Sequence, residues 1–170
     1  MALAVSMALE GITQIIRELP RARGGDADAR DSLLLASTMA GMAFNRSGVH
    51  VGHALAHALG AIAGVHHGTA CAIAMPFVAR TQMEAIPQRM LALAGAMGLP
   101  ETDAKDAGKA VAEALATFNR EMGIDSLSSY GVAEEQLDEV VAYAMEERIC
   151  LRAPCPIDKE VLRSYLLEVL

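Results

Sequence analysis

The stretch from Gly48 to Gly68, GVHVGHALAHALGAIAGVHHG, constrains this chain more than any other. It holds all five histidines of the protein, His50, His53, His57, His66 and His67, among nothing but Gly, Ala, Val, Leu and Ile. Residues three and four apart share a face of an α-helix. A helix running from Val49 therefore lines up His50, His53 and His57 in one stripe. The small residues between them let another backbone or a cofactor come close. Gly60 and Gly64 permit a turn that folds His66 and His67 back towards the stripe. A neutral imidazole is the commonest protein ligand for a divalent transition metal, so the stretch reads as a metal site or part of one. The competing reading is a group of hydrogen-bonded core histidines. The spacing is not HExxH, so no zinc-protease base is implied.

The remaining chain supplies the helices such a stretch packs against. Apolar residues make up 53% of the sequence but aromatic residues only 4%, so the apolar content is mostly Ala, Leu, Met and Val. With Glu these favour helix, and β-branched runs are scarce. Breakers and caps then divide the sequence. A first helix runs from Ala2 to Leu19, with Val5, Leu9, Ile12 and Ile16 at helical spacing and Pro20 as its stop. After a polar turn, a second runs from about Asp28 to Phe44. Its Leu33-Leu34-Leu35 and Met39 suggest burial on several sides. The histidine helix extends to Gly60 or Ala63. Thr69 is the expected N-cap of a helix through Ala79 that Pro76 kinks or ends. A short helix over residues 87–97 follows, then one capped by Thr102 or Asp103 and running to Met122. Glu134 opens another to Glu147, Arg148 to Pro156 is irregular, and Asp158 caps the last helix. The expectation is an all-α, bundle-like fold of about seven to nine helices, one domain over residues 1–170.

Other readings are excluded on stated grounds. A net charge of −7 and a pI near 5.2 argue against nucleic acid as a partner. No apolar run reaches transmembrane length, and the opening residues lack the basic region of a signal peptide. Three cysteines, Cys71, Cys150 and Cys155, make no disulfide framework, so a cytoplasmic location is expected. Cys150 and Cys155 are poorly spaced for half a metal site. There is no dinucleotide-binding or phosphate-binding glycine motif and no serine elbow. Ser47 reads as a helix-end residue. The acidic pairs Glu134-Glu135 and Glu146-Glu147 read as solvated helix faces.

The histidine stretch resembles the metal-binding motif of the iron-containing (group III) alcohol dehydrogenases. That family carries G-x-x-x-x-H-x-x-x-H-x-x-G, then P-H-G, then L-P-H-V. This chain has Gly48, His53, His57 and Gly60, then His67-Gly68, then Met75-Pro76-Phe77-Val78. Weaker similarity continues to both termini. The resemblance implies that His53 and His67 are metal ligands for Fe²⁺ or Zn²⁺, and that His57 lies beside the nicotinamide of NAD(P) and relays protons. It implies the helical carboxy-terminal domain of an oxidoreductase that interconverts small alcohols and aldehydes. The family's two upstream ligands, an Asp and a His, and its amino-terminal dinucleotide-binding domain have no counterpart here. His66 stands where Pro is usual, Cys71 for Asn, Phe77 for His, and Arg46 where a small amide is common. A truncated chain of this kind is expected to hold metal weakly, to be inactive alone, and to form a homo-oligomer or pair with a separate cofactor-domain chain. The alternative is a non-catalytic helical remnant or partner-binding module.

Overall fold

Helix formers separated by capping residues produce helices almost throughout. The computed structural model describes residues 2–82, 85–100 and 103–170. Among these lie eight α-helices and no strand: α1 (Ala2–Arg23), α2 (Ala27–Ser47), α3 (Val51–Ala63), α4 (His67–Gln82), α5 (Pro87–Ala96), α6 (Ala107–Glu121), α7 (Leu137–Glu146) and α8 (Lys159–Glu168). Short 3₁₀ turns cover Leu127–Tyr130, Glu134–Gln136 and Arg148–Arg152. The all-α expectation is met.

Several expected boundaries move for local reasons. The Asp26 carboxylate accepts the Ala29 N–H at 3.1 Å, so α2 opens at Ala27. Pro20 does not end α1. The Pro20 carbonyl still accepts the Gly24 N–H at 3.1 Å, and the helix runs on past it to Arg23. Thr69 is not an N-cap, because α4 already starts at His67. Thr102 lies outside the described residues. Asp103 caps a preceding turn, accepting from the Lys105 and Asp106 N–H groups at 2.9 and 3.1 Å, and α6 begins at Ala107.

Pro76 sits in the middle of α4 without ending it. It cannot donate to the Ala72 carbonyl four residues earlier, and its ring crowds that turn. Asn119 of α6 supplies the missing donor, its side-chain amide reaching the Ala72 oxygen at 2.8 Å. The next carbonyl, Ile73, accepts from the Tyr165 hydroxyl of α8. Two side chains distant in sequence thus satisfy the backbone that the proline disturbs, and α4 stays helical to Gln82.

Helix α4 joins two clusters of buried side chains. The larger draws on α3, α4, α7 and α8, with Leu55, Leu59, Phe77, Leu137, Val140, Leu162 and Leu166 at its centre. The smaller sits between the end of α4, α5 and α6 around Ala79, Ala94 and Val111, with Ile12 and Ile16 of α1 against it. Helices α1 and α2 pair as a hairpin. Gly11 lets them close tightly, since a β-carbon there would lie 3.3 Å from the Ala36 carbonyl. Thr13 ties α1 to the end of α5 through the Ala96 carbonyl at 2.9 Å.

Helix α2 corrects one expectation. It is not buried on several sides. Only Ala29, Ala36 and Ala43 are buried, seven residues apart on one narrow stripe. Leu34, Leu35, Met42 and Phe44 are exposed, as is Leu3 of α1. A helix held by alanines against a glycine-bearing partner is seated close, so its longer apolar side chains are left outside the contact.

Candidate metal centre

The ends of two helices build the site. Gly48 closes α2 with a left-handed φ of 77°, and a side chain there would run into the Arg152 guanidinium. His50 follows as the residue before α3, and its carbonyl accepts the N–H groups of His53 and Ala54 at 2.8 and 3.2 Å. His50 therefore lies outside the helix and not on the expected three-histidine stripe. His53 and His57 are one turn apart on α3. At the far end Gly64 takes a left-handed φ of 69° and its N–H returns to the Gly60 carbonyl. Gly60 itself stays helical. The reversal makes His67 the first residue of α4.

Three imidazoles meet across this turn. The His53 and His67 ring centroids are 5.4 Å apart, and the His57 ring lies 5.6 Å from His67 at an interplanar angle of 27°. His53 and His57 meet edge to face at 6.2 Å. Donor atoms of His53, His67 and Cys71 all lie within 4.8 Å of one another. Cys71 Sγ is 3.5 Å from His67 Nε2. His57 turns its Nδ1 to Glu147 Oε1 at 3.3 Å. His66 is exposed. His50 is half-buried, and its Nδ1 has no hydrogen-bond partner among the described residues. Ring-to-ring contacts join His53, His57 and His67, with His50 near enough to His53 to act on it electrostatically and His66 exposed.

The electrostatics favour a neutral ring at His53 and at His50. Burial, then the neighbouring His67, His57 and His50, lowers the pKa of His53. Burial lowers that of His50 as well. Burial pushes the Cys71 thiol up, so the free side chain is protonated at neutral pH. Two imidazole nitrogens and a sulfur are the donors a divalent transition metal takes, and not those of Mg²⁺ or Ca²⁺.

Two members of the site were not identified from the sequence as such. Glu147 was read as part of a solvated face, yet it ends α7 against His57. Only the packing of α7 on α3 brings it there, and no local pattern signals that. Cys71 had a signal, since it follows His67 at the i,i+4 spacing that places two side chains on one helix face. Cys150 and Cys155 are elsewhere, their thiols donating to the Ala144 and Thr81 carbonyls. Phe77 lies in the core beside Tyr165 at 5.1 Å between ring centroids.

A helical domain that gathers three imidazoles at the turn between two helices is a metal-site scaffold in outline. The family model "Fe-containing alcohol dehydrogenase family, C-terminal" matches residues 2–169. The chain belongs to the iron-containing alcohol dehydrogenase family and corresponds to its C-terminal part. It is 36% identical over 151 residues to "Probable alcohol dehydrogenase EutG" of Escherichia coli (strain K12), covering 87% of this chain and 37% of that protein. It is 34% identical over 146 residues to the 1,3-propanediol dehydrogenase of Citrobacter freundii, covering 82% of this chain and 38% of that protein. The crystal structure of a 1,3-propanediol oxidoreductase superposes on 100% of this chain and 46% of that one, with a TM-score of 0.92 and 27% identity. The chain thus spans less than half the length of each of these relatives.

Proposed function

We propose that this chain is the metal-binding part of an NAD(P)-linked oxidoreductase acting on small alcohols and aldehydes, the chemistry its relatives' names describe. The convergence of His53 and His67 across the α3–α4 reversal carries this reading. His53 and His67 hold the ion, Fe²⁺ or Zn²⁺. Such an ion polarises an alcohol oxygen as a Lewis acid. His57 handles the proton. Glu147 takes the hydrogen bond from Nδ1 in the tautomer protonated there, which leaves Nε2 free to accept a proton and return it. The His53 ring stays neutral and so available as a ligand. Residues 1–170 form one helical domain, and three free cysteines suit a reducing cytoplasm.

Calorimetric titration with Zn²⁺ or Ni²⁺ tests the ligand assignment. Binding is expected to be lost in His53→Ala and in His67→Ala and largely kept in His57→Ala. Equal small effects from all three changes would return the cluster to hydrogen-bonded core histidines. Loss in His57→Ala with retention in His67→Ala would reverse the two roles.

The 170-residue chain alone is expected to show no turnover of small alcohols with NAD or NADP, even with iron or zinc supplied, because these residues correspond to the C-terminal part of the family alone. A measurable rate above a metal-free control would refute this. Leu3, Leu34, Leu35, Met42 and Phe44 leave apolar surface exposed on α1 and α2, and Phe44 lies 6.5 Å from His53 between ring centroids. The isolated chain is expected to bury this surface against a second copy. A monomer mass by light scattering at high concentration would count against that.

A further inference from the structure

Cys71 has no part in the motif that carries the family likeness, yet its sulfur is the third donor of the cluster. It stands one turn beyond His67 on the same face of α4, with Sγ 3.5 Å from His67 Nε2. Tetrahedral zinc with Zn–N of about 2.0–2.1 Å and Zn–S of about 2.3 Å separates a nitrogen from a sulfur vertex by about 3.6 Å. The observed spacing is already that edge. We propose that Cys71 is a metal ligand, and that His53, His67 and Cys71 form a set selecting thiophilic divalent ions, zinc over iron(II). The proposal rests on the assignment of His53 and His67 as ligands and adds to it.

The chemistry balances without an oxidant. The S–H bond of Cys71 breaks, a sulfur–metal bond forms, and the proton leaves to solvent. A thiolate is a softer donor than imidazole or carboxylate and shifts preference towards zinc. Two imidazoles alone make a weak site. Adding a thiolate gives the three protein ligands typical of an open zinc site, whose remaining position is free for water or a substrate oxygen. The same 3.5 Å contact has a plainer reading, a thiol hydrogen-bonded to an imidazole nitrogen, and cobalt spectroscopy separates the two.

Co²⁺ added to the reduced 170-residue chain is the probe. The expected spectrum has ligand-field bands in the visible together with a thiolate-to-cobalt charge-transfer band in the near ultraviolet. Cys71→Ser and Cys71→Ala are expected to lose the charge-transfer band while far-ultraviolet circular dichroism stays unchanged. Cys150→Ser and Cys155→Ser are expected to keep it. Zn²⁺ affinity should fall in the Cys71 variants by more than the factor of about ten that even a lost outer-shell partner costs. Visible bands without the charge-transfer band, or a band that survives Cys71→Ser, overturn the cysteine assignment and leave the two histidines standing. No cobalt binding at all in the parent chain overturns the histidine assignment and this one with it.

Discussion

Phe77→Ala is expected to lower the unfolding free energy by about 3–5 kcal/mol, the range for deleting a buried aromatic ring. The ring is wholly inaccessible to solvent and packs on Tyr165 of α8, in the cluster that α3, α4, α7 and α8 share. Its loss leaves a cavity where three other helices meet α4, and close-packed neighbours relax only in part. The expected observation is a fall in the urea midpoint at unchanged slope. A loss below about 1 kcal/mol would mean that the site collapses around the gap, and that α8 is not held to α4 by this contact. Metal binding is expected to weaken too, because α4 carries His67 and Cys71 at its other end.

Asn119→Leu is expected to cost about 1–3 kcal/mol, because it leaves the Ala72 carbonyl without its donor. The informative comparison is with Pro76→Ala. An alanine at 76 brings back an N–H that can close the helix onto Ala72, so the Asn119 amide is no longer needed. In that background the cost of Asn119→Leu should shrink by about 0.5 kcal/mol or more, a coupling typical of side chains sharing one network. Denaturant unfolding of the parent, both single variants and the double variant measures it. Strict additivity would show that Asn119 contributes through packing and not by capping the broken turn.

Much of the architecture is legible in residue order. Ala, Leu, Met and Glu without β-branched runs dictate helices. Asp158 was placed as the last N-cap, and its carboxylate accepts the Glu160 and Val161 N–H groups at 2.7 and 3.2 Å. Helical periodicity turns Leu137, Val140, Val141, Ala144 and Met145 inward; the first four are buried and Met145 is partly buried against the same cluster. The convergence of His53 and His67 follows from local terms as well, since an i,i+4 stripe, a left-handed glycine and a helix start lie within fifteen residues of chain. Tertiary structure decided what depends on neighbours far along the chain. Pro20 was read as a stop and Pro76 as a kink or an end, but both lie inside helices; at Pro76 the donor that satisfies the freed carbonyl, Asn119, lies more than forty residues away. The leucines of α2 were read as buried, but hydrophobicity says only that burial is favourable. The alanine stripe that meets Gly11 settles which face is covered. Glu147 looked like one of several surface carboxylates until α7 packed on α3 and set it against His57. Residue order sets the local conformations and the inventory of donors, while the pairing of distant helices decides which donors face one another, because that pairing depends on side-chain fit between segments that no local pattern encodes.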